Sequence, residues 1–195
     1  SATRPGTSAI ELDGTGDYLS VPDSDDWPNG TGSWTLEWWV NFDNSNDECR
    51  FIGQRVDDNN LWKIEKRAHD DPSGDIQLRW ISGGSNVFME DSGSLSWSSG
   101  TWYHMAVVKD GNDYEVFRDG VSIQTFTNST SLDNYSAPLI IGQQSSGHFI
   151  DGYMDEIRIS NTARYTVAFT PKARGEQFTA DEYTKLLIHS DYTGG

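Results

Sequence analysis

The chain has 195 residues, 35% hydrophobic, with 8 Trp, 8 Tyr and 8 Phe, enough for one sizeable sandwich or at most two small domains. A formal net charge of −16 repels phosphate backbones and anionic bilayers, which argues against nucleic acid and anionic membranes as partners. A single cysteine, Cys49, rules out an internal disulfide framework, and no apolar run approaches the length that spans a bilayer.

The first nine residues, SATRPGTSA, read as a linker or boundary segment, and no signal peptide is recognisable. Ile10 and Leu12 then alternate with polar neighbours before Asp13-Gly14, and Leu19 and Val21 resume the pattern. A polar, turn-rich loop over 22–33 leads into the cleanest strand, WTLEWWVNF at 34–42. Trp34, Leu36, Trp38, Val40 and Phe42 share one face of that strand, and Thr35, Glu37, Trp39 and Asn41 share the other. Further strand-like runs follow at 51–55, 61–66, 76–81 and 86–90. WYHMAVVKDGNDYEVFRDG at 102–120 reads as a hairpin, because Asp110-Gly111 separates two apolar runs and glycine takes positive φ without a steric penalty.

Strands are then expected at 121–126, 139–141 and 153–159. Short helical turns are expected near 129–132 and 179–183, the second with Thr179 as N-cap and Glu182 three residues on. TKLLIHSD at 184–191 reads as a last strand, which either closes an exposed edge or opens a following module. Turn signals nearly every ten residues, with no long helical period, predict an all-β protein: a two-sheet antiparallel β-sandwich of jelly-roll type. The expected division is a linker over 1–9, the sandwich over 10–178, and a C-terminal turn and strand over 179–195.

These segments together resemble the laminin-G-like, concanavalin A-like jelly-roll superfamily. The likeness rests on IELDGTGDYLSVPDSDDW (10–27), WTLEWWVNF (34–42), WYHMAVVKDG (102–111), VFRDG (116–120), LIIGQ (139–143), DGYMDEIRIS (151–160) and RYTVAFTP (164–171). It covers about four-fifths of the chain. It implies fold far more strongly than ligand, because the fold hosts lectins, enzymes and protein-binding modules.

Two calcium sites follow from the resemblance. Related jelly rolls join the first strand region to a late strand through calcium, and Asp13, Asp17 and Asp155 are the residues placed to do so. Asp155 shares parity with Ile157 and Ile159, so its carboxylate is expected on the core side, where it must be paired, hydrogen-bonded or metal-bound. Alternatively Asp155 accepts turn N–H groups and Asp13 only shapes its Asp-Gly turn. The second site resembles that of pentraxins: Asp58 and Asn59 in QRVDDNNLWKI would meet Gln143, Gln144 and Asp151 at one rim of the sandwich. Gln143 stands where a charged ligand is expected, so this site is weaker or consists only of polar turn residues.

Asp57 and Asn60 could read sugar hydroxyls, and Trp39 and Trp62 could offer rings for stacking. Cys49 reads as a buried side chain, and the four histidines show no ligand spacing. A retaining glycosidase needs two carboxyls about 5–5.5 Å apart. No Glu-x-Asp-x-x-Glu run occurs, and Asp155-Glu156, being adjacent, are expected on opposite faces, which leaves a polysaccharide hydrolase or lyase with a site split between distant strands as the lesser alternative. The resulting expectation is a non-catalytic, lectin-like module, calcium-dependent or calcium-stabilised. It would bind a glycan or polysaccharide outside the cell or on a cell or virion surface. It would be monomeric, without membrane insertion; the alternative is a structural or receptor-binding domain that contacts neighbouring modules without binding glycan.

Overall fold

The computed structural model describes residues 8–45, 47–67, 73–143, 147–172 and 176–190. In chain order the strands are β1 (Ile10–Asp13), β2 (Leu19–Val21), β3 (Trp34–Phe42), β4 (Cys49–Asp57), β5 (Asn60–Lys66), β6 (Ser73–Gly74), β7 (Ile76–Ser82) and β8 (Ser85–Asp91). They continue with β9 (Leu95–Ser96), β10 (Trp102–Asp110), β11 (Asp113–Arg118), β12 (Val121–Thr127), β13 (Leu139–Ile141), β14 (Asp151–Ser160) and β15 (Thr184–Ile188). One sheet runs β1-β14-β3-β10-β11-β12, with β15 also paired to β14; the other runs β2-β13-β4-β5-β7-β8. The two-sheet antiparallel sandwich expected from the sequence is the observed fold.

Alternation puts the even face of β3, from Trp34 to Phe42, into the core between the sheets. Phe51, Trp62, Trp80 and Leu139 meet it from the second sheet. Trp38 packs on Phe51 with ring centroids 5.1 Å apart, and Trp62 stacks on Trp80 at 5.5 Å. The hairpin of β10 and β11 pairs Asp110 with Asp113 around Gly111, as its Asp-Gly signal requires.

The odd face of β3 is buried as well, which the alternation alone does not reveal. The chain after β14 turns back and lies over the outer face of the seven-stranded sheet as a third layer. Phe178 covers Trp39, Trp102 and Tyr153, with Leu187 of the sheet's own β15 packed beside them, while Ala163, Tyr165 and Phe169 cover Ala106, Val108 and Phe117. The close approach depends on Gly120, at φ 76°, whose carbonyl accepts from Phe169 N at 3.0 Å. A Cβ there would collide with the Phe169 carbonyl.

Glu37 projects from this face with no measurable exposure. Arg158 Nε and Nη2 reach its Oε1 at 2.8 and 2.6 Å, and Tyr165 Oη donates to Oε2 at 2.8 Å. Burial alone would raise its pKa; His104, Arg158 and Tyr165 together outweigh that and hold it below the usual 4.5. The Arg158 guanidinium lies 4.4 Å from the Phe178 ring centroid, so one ion pair ties the sheet to the layer above it.

β14 corrects one expectation. Asp155 pairs with Trp39 but Arg158 pairs with Glu37, so β14 carries one residue more than β3, and Glu156 takes φ 51°. This bulge lets Met154 and Ile157 both enter the core. Asp155 and Glu156 therefore both face the third layer, neither on the core side nor on opposite faces. Asp155 Oδ1 accepts from Ser190 Oγ at 2.9 Å; Glu156 Oε2 accepts from Phe178 N at 2.5 Å, and its Oε1 lies 2.9 Å from His189 Nδ1. The expected helical turns at 129–132 and 179–183 are absent; the second is a turn in which Asp181 Oδ1, rather than Thr179, accepts from Tyr183 N at 3.1 Å.

Removing one partner of the buried pair leaves a desolvated charge, so Glu37→Leu and Arg158→Met should each cost about 3–5 kcal/mol. The double variant should recover much of that, as read from urea midpoints in a double-mutant cycle. Because folding lowers the Glu37 pKa, its contribution is complete above about pH 4.5 and declines as pH falls through the folded value. Wild type should therefore lose stability on acidification below that point more steeply than Glu37→Leu.

Candidate functional site

With one sheet roofed, the outer face of the other presents its side chains in cross-strand rows. One row is Arg55, Leu61 and Ile81; the next is Gly53, Lys63, Arg79 and Met89; the third is Arg50, Glu65, Gln77 and Asp91. Each outward residue alternates with a core residue: Lys63 lies between Trp62 and Ile64, and Arg79 between Leu78 and Trp80.

Over these rows lies a cavity of about 300 Å³. Leu61, Lys63 and Ile81 form its buried floor, and Arg50, Arg55, Arg79 and Asp58 its walls. Glu65 accepts from Arg50 Nε at 2.8 Å and from Lys63 Nζ at 2.5 Å. Burial opposes its charge, but the two cations prevail and keep its pKa low. Burial also pushes the Lys63 ammonium below its usual value, with added repulsion from Arg50 and Arg79, while Glu65 acts the other way. Arg55 pairs with Asp58 at 2.8 Å. Arg79 Nε donates to Asn86 Oδ1 at 3.0 Å, and Arg79 meets no carboxylate among the described residues.

A larger cavity of about 550 Å³ lies beside β11 and β12 under Tyr165 and Thr166. Two of its three acids are engaged by the chain itself: Asp113 Oδ1 accepts from Thr127 Oγ1 at 2.9 Å, and Asp110 Oδ1 from Ser33 Oγ at 3.3 Å; the third, Glu115, has no side-chain hydrogen bond to a described residue.

The residues expected at the rim do not come together. Asp57, Asp58, Asn59 and Asn60 form the tight turn between β4 and β5. Asp57 Oδ1 accepts from Asn59 N at 2.8 Å and Asn60 Nδ2 at 3.0 Å, so it shapes the turn. Gln143 follows Gly142, which bonds Phe51 O at 2.9 Å, at the opposite end of β4. Arg50 and Asp57 are separated by about 23 Å of extended strand. Asp151 is at that far end too, and Gln144 lies outside the described residues.

Asp13 and Asp151, expected in different sites, are register partners. The Asp151 pKa is raised by burial first, then by Asp43, Asp47 and Asp13. Asp13 Oδ1 accepts from Thr15 N at 2.8 Å, and Asp17 Oδ2 from Asp13 N at 3.3 Å. Asp155, bonded to Ser190, is not with them. The two expected donor sets therefore do not fit a calcium ion, and no group of three or more His, Cys, Asp or Glu among the described residues is arranged to hold a metal. Trp39 is 8% and Trp62 2% exposed; the first lies under the third layer and the second stacks on Trp80, so neither offers a ring to solvent.

Sequence reasoning missed Arg50, Arg55, Lys63 and Arg79. The signal was present: four of 14 basic residues, in a chain with 30 acids, fall outward on three successive strands.

Two antiparallel sheets of this order, packed face to face, form a jelly-roll sandwich. A family model described as the concanavalin A-like lectin/glucanases superfamily matches residues 13–166, and the chain belongs to that superfamily. No curated protein matches it in sequence. Among solved structures it is similar to domain 4 of an extracellular GH43 arabinanase from Geobacillus stearothermophilus, solved with arabinotriose, at 21% identity and TM-score 0.62, over 80% of this chain and 71% of that one. A putative carbohydrate-binding protein from Bacteroides ovatus matches at 18% identity and TM-score 0.68, over 96% and 52% respectively. A heptameric SAP-like pentraxin from Limulus polyphemus matches at 15% identity and TM-score 0.61, over 95% and 93%.

Because neither donor set is assembled, millimolar EDTA should shift the melting midpoint by less than about 1 °C. A rise of several degrees on adding calcium would return the metal to the acidic corner of Asp13, Asp43, Asp47 and Asp151.

Proposed function

We propose that the protein is a non-catalytic carbohydrate-binding module whose ligand lies on the open face of β4, β5 and β7. The observation that carries this is the cavity over Lys63 and Arg79, on the sheet that the third layer leaves uncovered. It combines an apolar floor with convergent polar groups, and at about 300 Å³ is at the small end for ligand sites. Superfamily membership and the fold shared with an arabinanase domain solved with arabinotriose support a sugar as the ligand.

The non-catalytic part rests on the carboxylates. Glu65 is bonded to Arg50 and Lys63, and Asp58 to Arg55, so neither stands ready as acid or nucleophile. Asp155 and Glu156 are buried beneath the C-terminal layer. We place the module in a secreted or surface-exposed protein, in keeping with the extracellular arabinanase that shares its fold.

Screening on a glycan array, followed by amide chemical-shift mapping, should place the perturbed residues on β4, β5 and β7, with the bound oligosaccharide remaining intact. Arg55→Ala should weaken binding about three- to tenfold while leaving the urea midpoint nearly unchanged, because its partner Asp58 is 91% exposed and the pair is screened by water. Absence of binding to any saccharide would leave a structural spacer as the reading.

A further inference from the structure

Resting on that carbohydrate-binding reading, we infer that the cavity over β4, β5 and β7 takes a sugar bearing a single carboxylate, received by Arg79. Among the described residues four cations and one acid, Asp58, line the cavity, with Glu65 and Asp91 on the adjoining row, so the site is locally cationic in a chain of net charge −16. Glu65 and Asp58 answer Arg50, Lys63 and Arg55. Arg79 is left as the cation with no carboxylate among the described residues.

Asn86 holds Arg79 through Nε, which fixes the plane of the guanidinium. Its two terminal nitrogens bond to no described residue. That planar edge matches the two oxygens of a carboxylate, and a ring carrying the carboxylate would rest on Leu61 and Ile81 beside Met89, which is 47% exposed.

Two further observations narrow the ligand. The exposed aromatics among the described residues are Tyr18 and Tyr183, and neither belongs to this face, so a neutral sugar finds no stacking platform there. Outside the cavity the negative excess of the surface repels a chain of closely spaced phosphates or sulfates, whereas one carboxylate stays within reach of the cations.

The test titrates the full chain with methyl glucuronide and methyl galacturonide, each beside its neutral methyl glycoside, with glucose 6-sulfate and a single-stranded oligonucleotide as further anions. Binding is read by amide chemical shifts and calorimetry. At least one uronide should perturb amides around Lys63 and Arg79 and bind about ten- to a hundredfold more tightly than its neutral parent. Arg79→Gln should remove that preference, and Arg79→Lys should restore part of it. Asn86→Ala should weaken uronide binding by loosening the guanidinium, with the fold verified by its unchanged amide spectrum.

Equal binding of uronide and neutral glycoside at the same amides would overturn the carboxylate while keeping the module a carbohydrate binder. Tighter binding of the sulfate or the oligonucleotide would overturn it in favour of that anion. No shift with any saccharide would overturn the carbohydrate reading and this inference together.

Discussion

A carboxylate with no exposure to water cannot remain charged unless its partners are fixed, and Glu37 sets this condition at the middle of the molecule. It stands on β3, between β14 and β10. Arg158 comes from the neighbouring strand and Tyr165 from the returning chain, so the carboxylate is satisfied only when strand pairing and third layer are both in place. Such a pair is weak as net stabilisation but severe as a constraint, because any arrangement that withdraws Tyr165 or Arg158 strands the charge. The consequence reaches across the sandwich: the middle of one outer face is committed to internal packing, while the cationic rows lie on the other.

The open face is built from central, fully paired strands, which makes it unlike a loop-built site. Arg55, Lys63 and Arg79 sit on β4, β5 and β7, each held by ladders on both sides. Their backbone positions are thus set before any ligand arrives. Lys63 and Arg50 are further restrained through Glu65. Little ordering is required on binding, and such preorganisation favours affinity beyond what a small contact area suggests.

The sandwich was legible in the sequence because strand alternation and turn chemistry are local. WTLEWWVNF announces its two faces, and Asp110-Gly111 announces its hairpin. Alternation does not say what covers a face, so Trp39 and Glu37 read as outward when a third layer buries both. The bulge at Glu156 shifts parity by one residue, and nothing in MDEIRIS marks it, because a non-glycine residue takes the positive φ. The expected rim grouping failed for a geometric reason: the Asp57–Asn60 turn and Gln143 flank opposite ends of β4, which depends on how β13 registers against it. The cationic rows were hidden similarly, since Arg55, Lys63 and Arg79 are far apart in sequence and meet only through cross-strand register.

The charge layout also governs how an anion would reach the face. At long range it approaches a body of net charge −16 and is repelled; within about 8 Å at physiological ionic strength the local cations dominate. Salt therefore relaxes an outer barrier and an inner attraction at once. Association would quicken with the first additions of salt, while dissociation quickens as the inner contacts are screened. Residence time and arrival rate become separately adjustable by the ionic strength of the surroundings.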